Sequence, residues 1–408
     1  MSAARAARLR ARLDELFEIG RAIGTNRIGL GPGEQAAHEL VAGWMREAGL
    51  EVSVDRAGNL YGRLAGADPA LAEVWSGSHL DTPFDGGRFD GATGVLAALD
   101  AAEAIGAAPG ARRTLAVVAF RLEEGPRFGR GVFGSRAVAG ALEDDEAGLR
   151  DADGVTLGEA FAALGLGELP REGWLGEGPA SFLEAHIEQG PVLAAHGERL
   201  GVVTSIAGMA GLEISFGGLR GHAGTVPMPL RRDALATLSE IVLAMETTAR
   251  QYGPKAVGTV GEAVIANPSR NVIPGEIAFT VDCRSADAAI MDALDAGLRA
   301  AIKEISARRK VDVKLDLVWR KPPTHFDPKL VNAVEEAAQK LGFSHRRITS
   351  GAGHDACNLN TKIPAAMVFV PCKDGVSHNE LEDATQADCS AGANVLMHTV
   401  LALAGVAS

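Results

Sequence analysis

The stretch GSHLDTPFDGGRFDGATG, residues 77–94, decides how this chain is read. An apolar pair, Val74-Trp75, precedes it, and Val95, Leu96 and Leu99 follow at helical spacing. The stretch is therefore a polar loop between a strand and a helix, and it carries His79, Asp81 and Asp90. His79 and Asp90 offer a nitrogen and an oxygen of the kind zinc or manganese accepts, while Asp81 is placed to orient the His79 imidazole. The glycines around Asp90 let the backbone close on whatever is bound. Alone, these residues describe a polar turn as well as they describe a metal site, so the rest of the chain must decide.

Working outward, Leu9, Leu13, Leu16 and Phe17 share one face of an N-terminal helix, residues 26–33 form a glycine-rich loop, and residues 34–48 read as a second helix stopped by Gly49. Strands are expected at 50–54 and 60–64. The helix after the central loop runs to about Ala107, and the apolar run 114–120 has the look of a strand buried on both faces. Strand, helix, strand argues for an α/β fold with a doubly wound mixed sheet, whose chemistry sits beyond the carboxyl ends of its strands. Glu123-Glu124 then falls on the same rim as His79. Residues 144–179 read as a surface insertion with one short helical piece. A strand at 182–186 delivers His186 to the rim, and Glu188-Gln189-Gly190 starts a helix.

Near residue 205 the pattern changes to alternating strands at 212–216, 258–265, 277–283 and 311–319, with helices at 229–250 and 286–308. This block suits an inserted α+β domain of antiparallel sheet and paired helices, over residues 208–322. The catalytic domain is then discontinuous, 1–207 and 323–408. From Leu330 the first style returns, with a helix, an apolar strand at 365–370 and a C-terminal helix from about Thr385.

The 408 residues carry a net charge of −12, which argues against nucleic acid or an anionic membrane surface as partner but not against a small anionic substrate. Four widely spaced cysteines indicate neither a disulfide framework nor a thiolate zinc site, and a reducing cytoplasm fits them. No apolar run approaches the ~18 residues of a membrane span.

Donors predicted at the rim are His79, Asp90, Glu124, His186 and His378, enough for two divalent ions. His79 and His186 would hold one, Glu124 and His378 the other, and Asp90 would bridge both. Two ions so placed lower the pKa of a trapped water, which leaves Glu123 to act as general base. Taken singly, each donor reads as a cap, a turn former or a solvated acid.

The strings SHLDT, GGRFDGATGV, EEGPRF, HIEQG, GHAGTVPM, NVIPG, DCR, SGAGHDA and SHN occur in this order. Together they resemble the N-carbamoyl-L-amino-acid hydrolase and allantoate amidohydrolase family of di-metal amidases, related to aminoacylases and zinc carboxypeptidases. The resemblance covers nearly the whole chain except 144–179. It implies the same ligand sets, Glu123 as general base and Asp81 as the partner of His79. It makes the inserted domain a lid and dimerisation module, with His222 reaching the neighbouring subunit's site to steady an oxyanion. It also implies that Asn271 and Arg284 face a carboxylated substrate, Arg284 forking onto its α-carboxylate, and that Gln189 contacts the carbamoyl or amide end. Pro126, the FGRGVFGS continuation and Cys357 depart from the family's usual residues, which bears on substrate identity.

The resemblance implies a cytoplasmic homodimeric amidohydrolase with two divalent ions per subunit, zinc first and manganese, cobalt or nickel as alternatives. Its substrate would be an N-carbamoyl-L-amino acid, with allantoate or an N-acyl amino acid as rivals. A catalytically silent protein that captures small carboxylates is the reading from outside the enzymes.

Overall fold

The computed structural model describes residues 2–22, 26–106, 110–175 and 178–406. It divides into two compact units, Met1–Thr204 with Phe326–Ser408, and Ser205–His325. Along the chain the first unit holds α1 (Ala3–Ala22), α2 (Pro32–Glu47), β1 (Glu51–Val54), β2 (Leu60–Leu64), β3 (Val74–His79), α3 (Ala92–Gly106), β4 (Leu115–Phe120), α4 (Phe133–Ala139), α5 (Leu157–Ala163), β5 (Ser181–Ile187), α6 (Val192–His196) and β6 (Leu200–Ile206), whose last two residues already belong to the second unit. The second continues with β7 (Gly208–Gly217), β8 (Gly221–His222), α7 (Ala234–Arg250), β9 (Ala256–Ile265), β10 (Val272–Ile273), β11 (Glu276–Ser285), α8 (Ala288–Arg309), β12 (Asp312–Lys321) and β13 (Thr324–His325). The first unit then resumes with α9 (Pro328–Lys340), β14 (His345–Ser350), α10 (Asp355–Leu359), β15 (Ala365–Val370) and α11 (Gln386–Ala404).

The large sheet is mixed, as its apolar runs predict, with strand order β1-β2-β4-β3-β5-β15-β6-β13 and β14 paired to β6. Its centre, β4-β3-β5-β15, is parallel, and β2 and β6 run antiparallel on either side. All four central strands are buried along their whole length; Leu115–Phe120 and Ala365–Val370 are accordingly continuous apolar runs, while β3 and β5 bury Ser76, Ser78 and Glu184 as well. Helices α3 and α11 pack on one another and against the sheet, and α4 packs on α10. The parallel strands end at His79, Phe120, Ile187 and Val370, so four adjacent carboxyl ends open onto one rim.

The second unit has its own antiparallel sheet, β12-β7-β11-β9. Leu212, Ile214, Phe216, Ile277, Phe279 and Val281 alternate inward to meet Leu238, Ile241, Leu294 and Leu298 of α7 and α8. Asp233 and Asp287 begin those helices by accepting two backbone N–H bonds each.

Several local expectations change. His79 is the last residue of β3 rather than part of the loop. The helix expected from Glu188 starts at Val192, because the Glu188 carboxylate accepts the N–H groups of Val192 and Leu193, both at 2.8 Å, and so caps that turn from outside. Strands β6 and β14 and helices α4 and α10 had no counterpart in the pattern reading. The expected end of the third helix, Ala107, lies outside the described residues. The insertion is more than surface cover. Leu157, Ala160 and Phe161 of α5 bury against Leu30, Leu122, Phe128 and Phe133, with the Phe133 and Phe161 rings edge to face at 5.9 Å. That satellite core lies directly under the residue preceding Glu123.

Candidate metal centre

Each of the four central strand ends contributes to one cluster. His79 closes β3, Glu123 and Glu124 follow β4, His186 is the penultimate residue of β5, and His378 sits in the loop after β15. Asp90 comes from the turn before α3. Its Oδ1 lies 3.3 Å from His79 Nε2 and 3.1 Å from His186 Nε2, and its Oδ2 lies 3.5 Å from His378 Nε2. His378 Nε2 is also 3.5 Å from Glu124 Oε1. Two donor sets result, His79–Asp90–His186 and Asp90–Glu124–His378, sharing Asp90 with one oxygen turned to each, and within each set the ligand atoms lie within 4.8 Å of one another.

The chemistry of these donors fits a pair of cations. His79 Nδ1 faces the Asp81 carbonyl at 3.1 Å and His186 Nδ1 faces the Ile187 carbonyl at 2.9 Å, so each ring's proton belongs on Nδ1 and its Nε2 lone pair points at the cluster. Glu124 Oε1 is buried with no hydrogen-bond partner. Burial lifts Glu124 to about 8, with Asp90 adding to the rise. His378 is pushed up to about 9, first by its hydrogen bond to Asp90. For His79, burial, which lowers the pKa, is outweighed by Glu123, Asp81 and Asp90, and its pKa lies well above the usual imidazole range. An anionic field that draws protons onto imidazoles is one that divalent cations neutralise. Two further groups lie alongside: His79–Glu123–Glu124 overlaps both sets through His79 and Glu124, and Glu184–His186–His354 differs in kind, since both Glu184 oxygens already accept, from Ser78 Oγ at 2.6 Å and Ala356 N at 3.0 Å, and His354 Nε2 meets Ser350 Oγ at 2.9 Å. The latter buttresses His186.

The Asp81 carboxylate does more than face His79. Its Oδ1 lies 3.4 Å from His79 Nδ1, farther than its own carbonyl, and its two oxygens accept the N–H groups of Glu123 and Glu124 at 3.0 Å each. Upstream, the buried Glu34 accepts from Leu122 N at 2.8 Å and Leu30 N at 2.7 Å, and pairs with Arg121 at 3.1 Å. Three successive peptide N–H groups, Leu122 to Glu124, are thus held by carboxylates, and Leu122 keeps a left-handed φ of 50°. Glu123 Oε2 stands 3.9 Å from His79 Nε2. Burial raises the Glu123 pKa well above the carboxylate range, with Glu124 and Asp355 adding to it against His79. Arg27, wholly buried, donates to the Leu80 and Leu16 carbonyls, a fixed cation beneath this acidic floor. Pattern reading missed Glu34, Glu184, Arg27 and Glu382. Only Glu382 carried a local signal, four residues after His378.

Gln189, expected at the amide end of a substrate, donates from Nε2 to Asp90 Oδ2 at 2.8 Å and faces His378 Nε2 at 3.2 Å, beside the donor cluster. In the second unit, His222 and Asn271 are neighbours: β8 pairs His222 with Val272, and Ala223 N donates to the Asn271 carbonyl at 2.9 Å. His222 Nδ1 accepts from Gly224 N at 3.0 Å, which leaves Nε2 to carry the proton as a donor. Arg284, expected to fork onto a carboxylate, forks onto Asp282 of its own strand, at 2.7 and 3.0 Å.

Residues 76–402 match the model of Peptidase family M20/M25/M40. An N-carbamoyl-L-amino-acid amidohydrolase from Rhizobium meliloti is 38% identical over 404 residues, covering 97% of this chain and 95% of that protein. An allantoate amidohydrolase from Escherichia coli (strain K12) is 36% identical over 355 residues, 86% of each chain. The crystal structure of an amidase of the hydantoinase/carbamoylase family from Burkholderia multivorans superposes with a TM-score of 0.91 at 40% identity, covering 98% of both chains.

Proposed function

Since this chain belongs to peptidase family M20/M25/M40 and is similar over nearly its whole length to amidohydrolases within it, we propose that it hydrolyses the C–N bond of N-carbamoyl-L-amino acids, releasing the amino acid, ammonia and carbon dioxide. The observation that carries the reading is the pair of donor sets joined through Asp90, with Glu123 beside them, its Oε2 3.9 Å from His79 Nε2. His79, Asp90 and His186 would hold one divalent ion and Asp90, Glu124 and His378 the other. Such ions supply Lewis acidity toward the carbonyl and ease deprotonation of water.

The remaining work falls to the chain's own groups. Glu123, whose Oε2 stands 3.9 Å from His79 Nε2, takes a proton from the attacking water and passes it to the departing nitrogen. Asp81 fixes the loop that aims Glu123. Gln189, which now donates to Asp90 Oδ2, would turn its amide to the carbamoyl or amide end of the substrate. Arg284 exchanges or shares Asp282 for the substrate carboxylate, Asn271 faces the substrate, and His222 Nε2–H, reaching the neighbouring subunit's site, donates to the oxygen that gains charge.

On this reading the second unit is a lid and dimerisation module, the protein is a cytoplasmic homodimer, and zinc, manganese, cobalt or nickel fills the centre. No disulfide joins its cysteines and no helix is long and apolar enough to cross a membrane, among the described residues.

The relative from Escherichia coli supports a second reading, allantoate as substrate. One experiment decides: reconstitute metal-depleted protein with each of the four metals and follow ammonia and free-amine release from N-carbamoyl-L-amino acids, allantoate and N-acetyl amino acids. Turnover confined to allantoate selects the second reading. No turnover with any metal favours a silent binding protein.

A further inference from the structure

Asp90 is the hinge of the centre, yet it sits in a turn, and His378, its partner in the second donor set, sits in another turn and is exposed. Neither residue belongs to a strand, so something other than the sheet must hold them. Glu382 is 5% exposed, and its Oε1 accepts the N–H groups of Phe89 at 2.8 Å and Asp90 at 3.1 Å. Its Oε2 accepts from Ser377 Oγ at 2.9 Å, and the same hydroxyl lies 3.4 Å from Asp90 Oδ2, the oxygen turned to His378. The backbone between them is closed as well, since Glu382 N donates to the Asn379 carbonyl at 3.0 Å. Gly87 is what lets the carboxylate in: a Cβ there would fall 2.2 Å from Glu382 Oε1 and 2.3 Å from Cδ.

We propose that Glu382 is a positioning residue that latches the His378 turn to the Asp90 turn and so holds the Asp90–Glu124–His378 set ready for its cation. The inference rests on the two-cation reading of the centre. The other set depends on it less, because His79 and His186 are fixed by β3 and β5 and meet Asp90 through Oδ1. Removing the latch therefore splits the centre into one firm and one weakened position. The latch works by geometry, which gives it a signature that a charge effect lacks. In Glu382→Gln the amide oxygen can take both N–H groups, and the amide N–H can donate to Ser377 Oγ, so the bonds survive while the charge is lost.

The test is zinc binding to the metal-depleted full chain, followed by chelator competition and by metal content after dialysis. The wild type is expected to keep two ions. Glu382→Ala should keep one tightly and bind the other about 10–100-fold more weakly, as for other residues that orient ligands. Glu382→Gln should restore both affinities to within a few-fold. Gly87→Ala, which displaces the carboxylate while leaving it in the chain, should reproduce Glu382→Ala and covers the case in which that variant does not fold. Equal loss in Glu382→Gln and Glu382→Ala, or unchanged affinities in Glu382→Ala and Gly87→Ala, overturns the proposal. A wild type that holds fewer than two ions instead overturns the two-cation reading beneath it.

Discussion

Asp81→Asn isolates the part of the site that is built from backbone rather than from ligands. The side chain keeps its size, so no cavity opens, but one acceptor oxygen becomes an N–H donor. In the wild type both oxygens are used, at 3.0 Å from Glu123 N and 3.0 Å from Glu124 N, and the residue is wholly buried. Whichever way the amide turns, one peptide N–H then faces another donor. A buried unsatisfied N–H costs about 1–3 kcal/mol, and the loss of charge from the surviving bond about 1 kcal/mol more. Relief from burying an anion offsets part of this, leaving a net of about 2 kcal/mol. For a unit of this size that lowers the melting temperature by about 3–6 °C, read on metal-depleted protein so that ion binding does not mask it. With metal restored, kcat should fall about 10–100-fold, because the loop that aims Glu123 is no longer pinned. A melting temperature within about 1 °C of wild type, together with kcat within about twofold, would refute the clamp.

Three further outcomes follow from the same structure. Glu123→Gln should keep both ions in metal analysis and lose about 10²–10⁴-fold in the rate of ammonia release; near wild-type rates contradict its role as proton carrier. Phe161→Ala empties the satellite core beneath Leu122 and should cost about 3–5 kcal/mol in urea unfolding, and a cost under about 1 kcal/mol would mean the insertion is not packed as described. Glu146 is buried against Arg136 and Arg130, and although burial alone would raise its pKa, the two guanidiniums hold it below the ordinary 4.5. A depressed pKa means stability that is fully present above about pH 4.5 and is lost as pH falls through the lower folded value. The stability gap between wild type and Glu146→Gln should therefore be widest near neutrality and close in acid, and a gap that persists or widens below pH ~3 goes against the pairing.

What could be read in the sequence follows from where the signal is local. Two of the four central strands, Leu115–Phe120 and Ala365–Val370, announce themselves because burial on both faces favours unbroken apolar runs, whereas Val74–His79 and Ser181–Ile187 bury Ser76, Ser78 and Glu184 and are marked only by their short apolar stretches. The donors are legible together rather than singly, since five His, Asp and Glu residues gathered at the expected rim outweigh the cap, turn or solvated-acid reading that each has alone. Helix α4 was not legible: Phe133–Ala139 is buried on every side, so it shows no amphipathic face, and it begins from Val132 in a left-handed conformation with no capping side chain. Strand β14 is half exposed, with the polar sequence HRRITS, and nothing in it distinguishes an edge strand from a loop. Arg284 and Gln189 were legible as polar residues in suggestive strings, but their present partners, Asp282 and Asp90, are facts of side-chain direction that spacing does not carry.

The least legible layer is the one that makes the ligands usable. Glu34, Asp81 and Glu382 bind no ion in this reading; they take six peptide N–H groups, those of Leu30, Leu122, Glu123, Glu124, Phe89 and Asp90, and all but the one from Leu30 belong to the turns that carry Glu123, Glu124 and Asp90. Peptide N–H groups are the same at every residue, so no pattern of side chains marks which of them will be captured. Yet a turn left to itself would solvate those N–H groups and let its carboxylate wander, whereas a buried anion that accepts two of them sets both the path of the backbone and the direction of the next side chain. The cost is an interior crowded with negative charge, offset within the chain by Arg27 and Arg121 and, on the reading above, by the cations the site is built to receive. Stability and metal binding are for this reason coupled: the same carboxylates that order the turns repel one another until positive charge arrives, so the ordered centre and the loaded centre are expected to be favoured together.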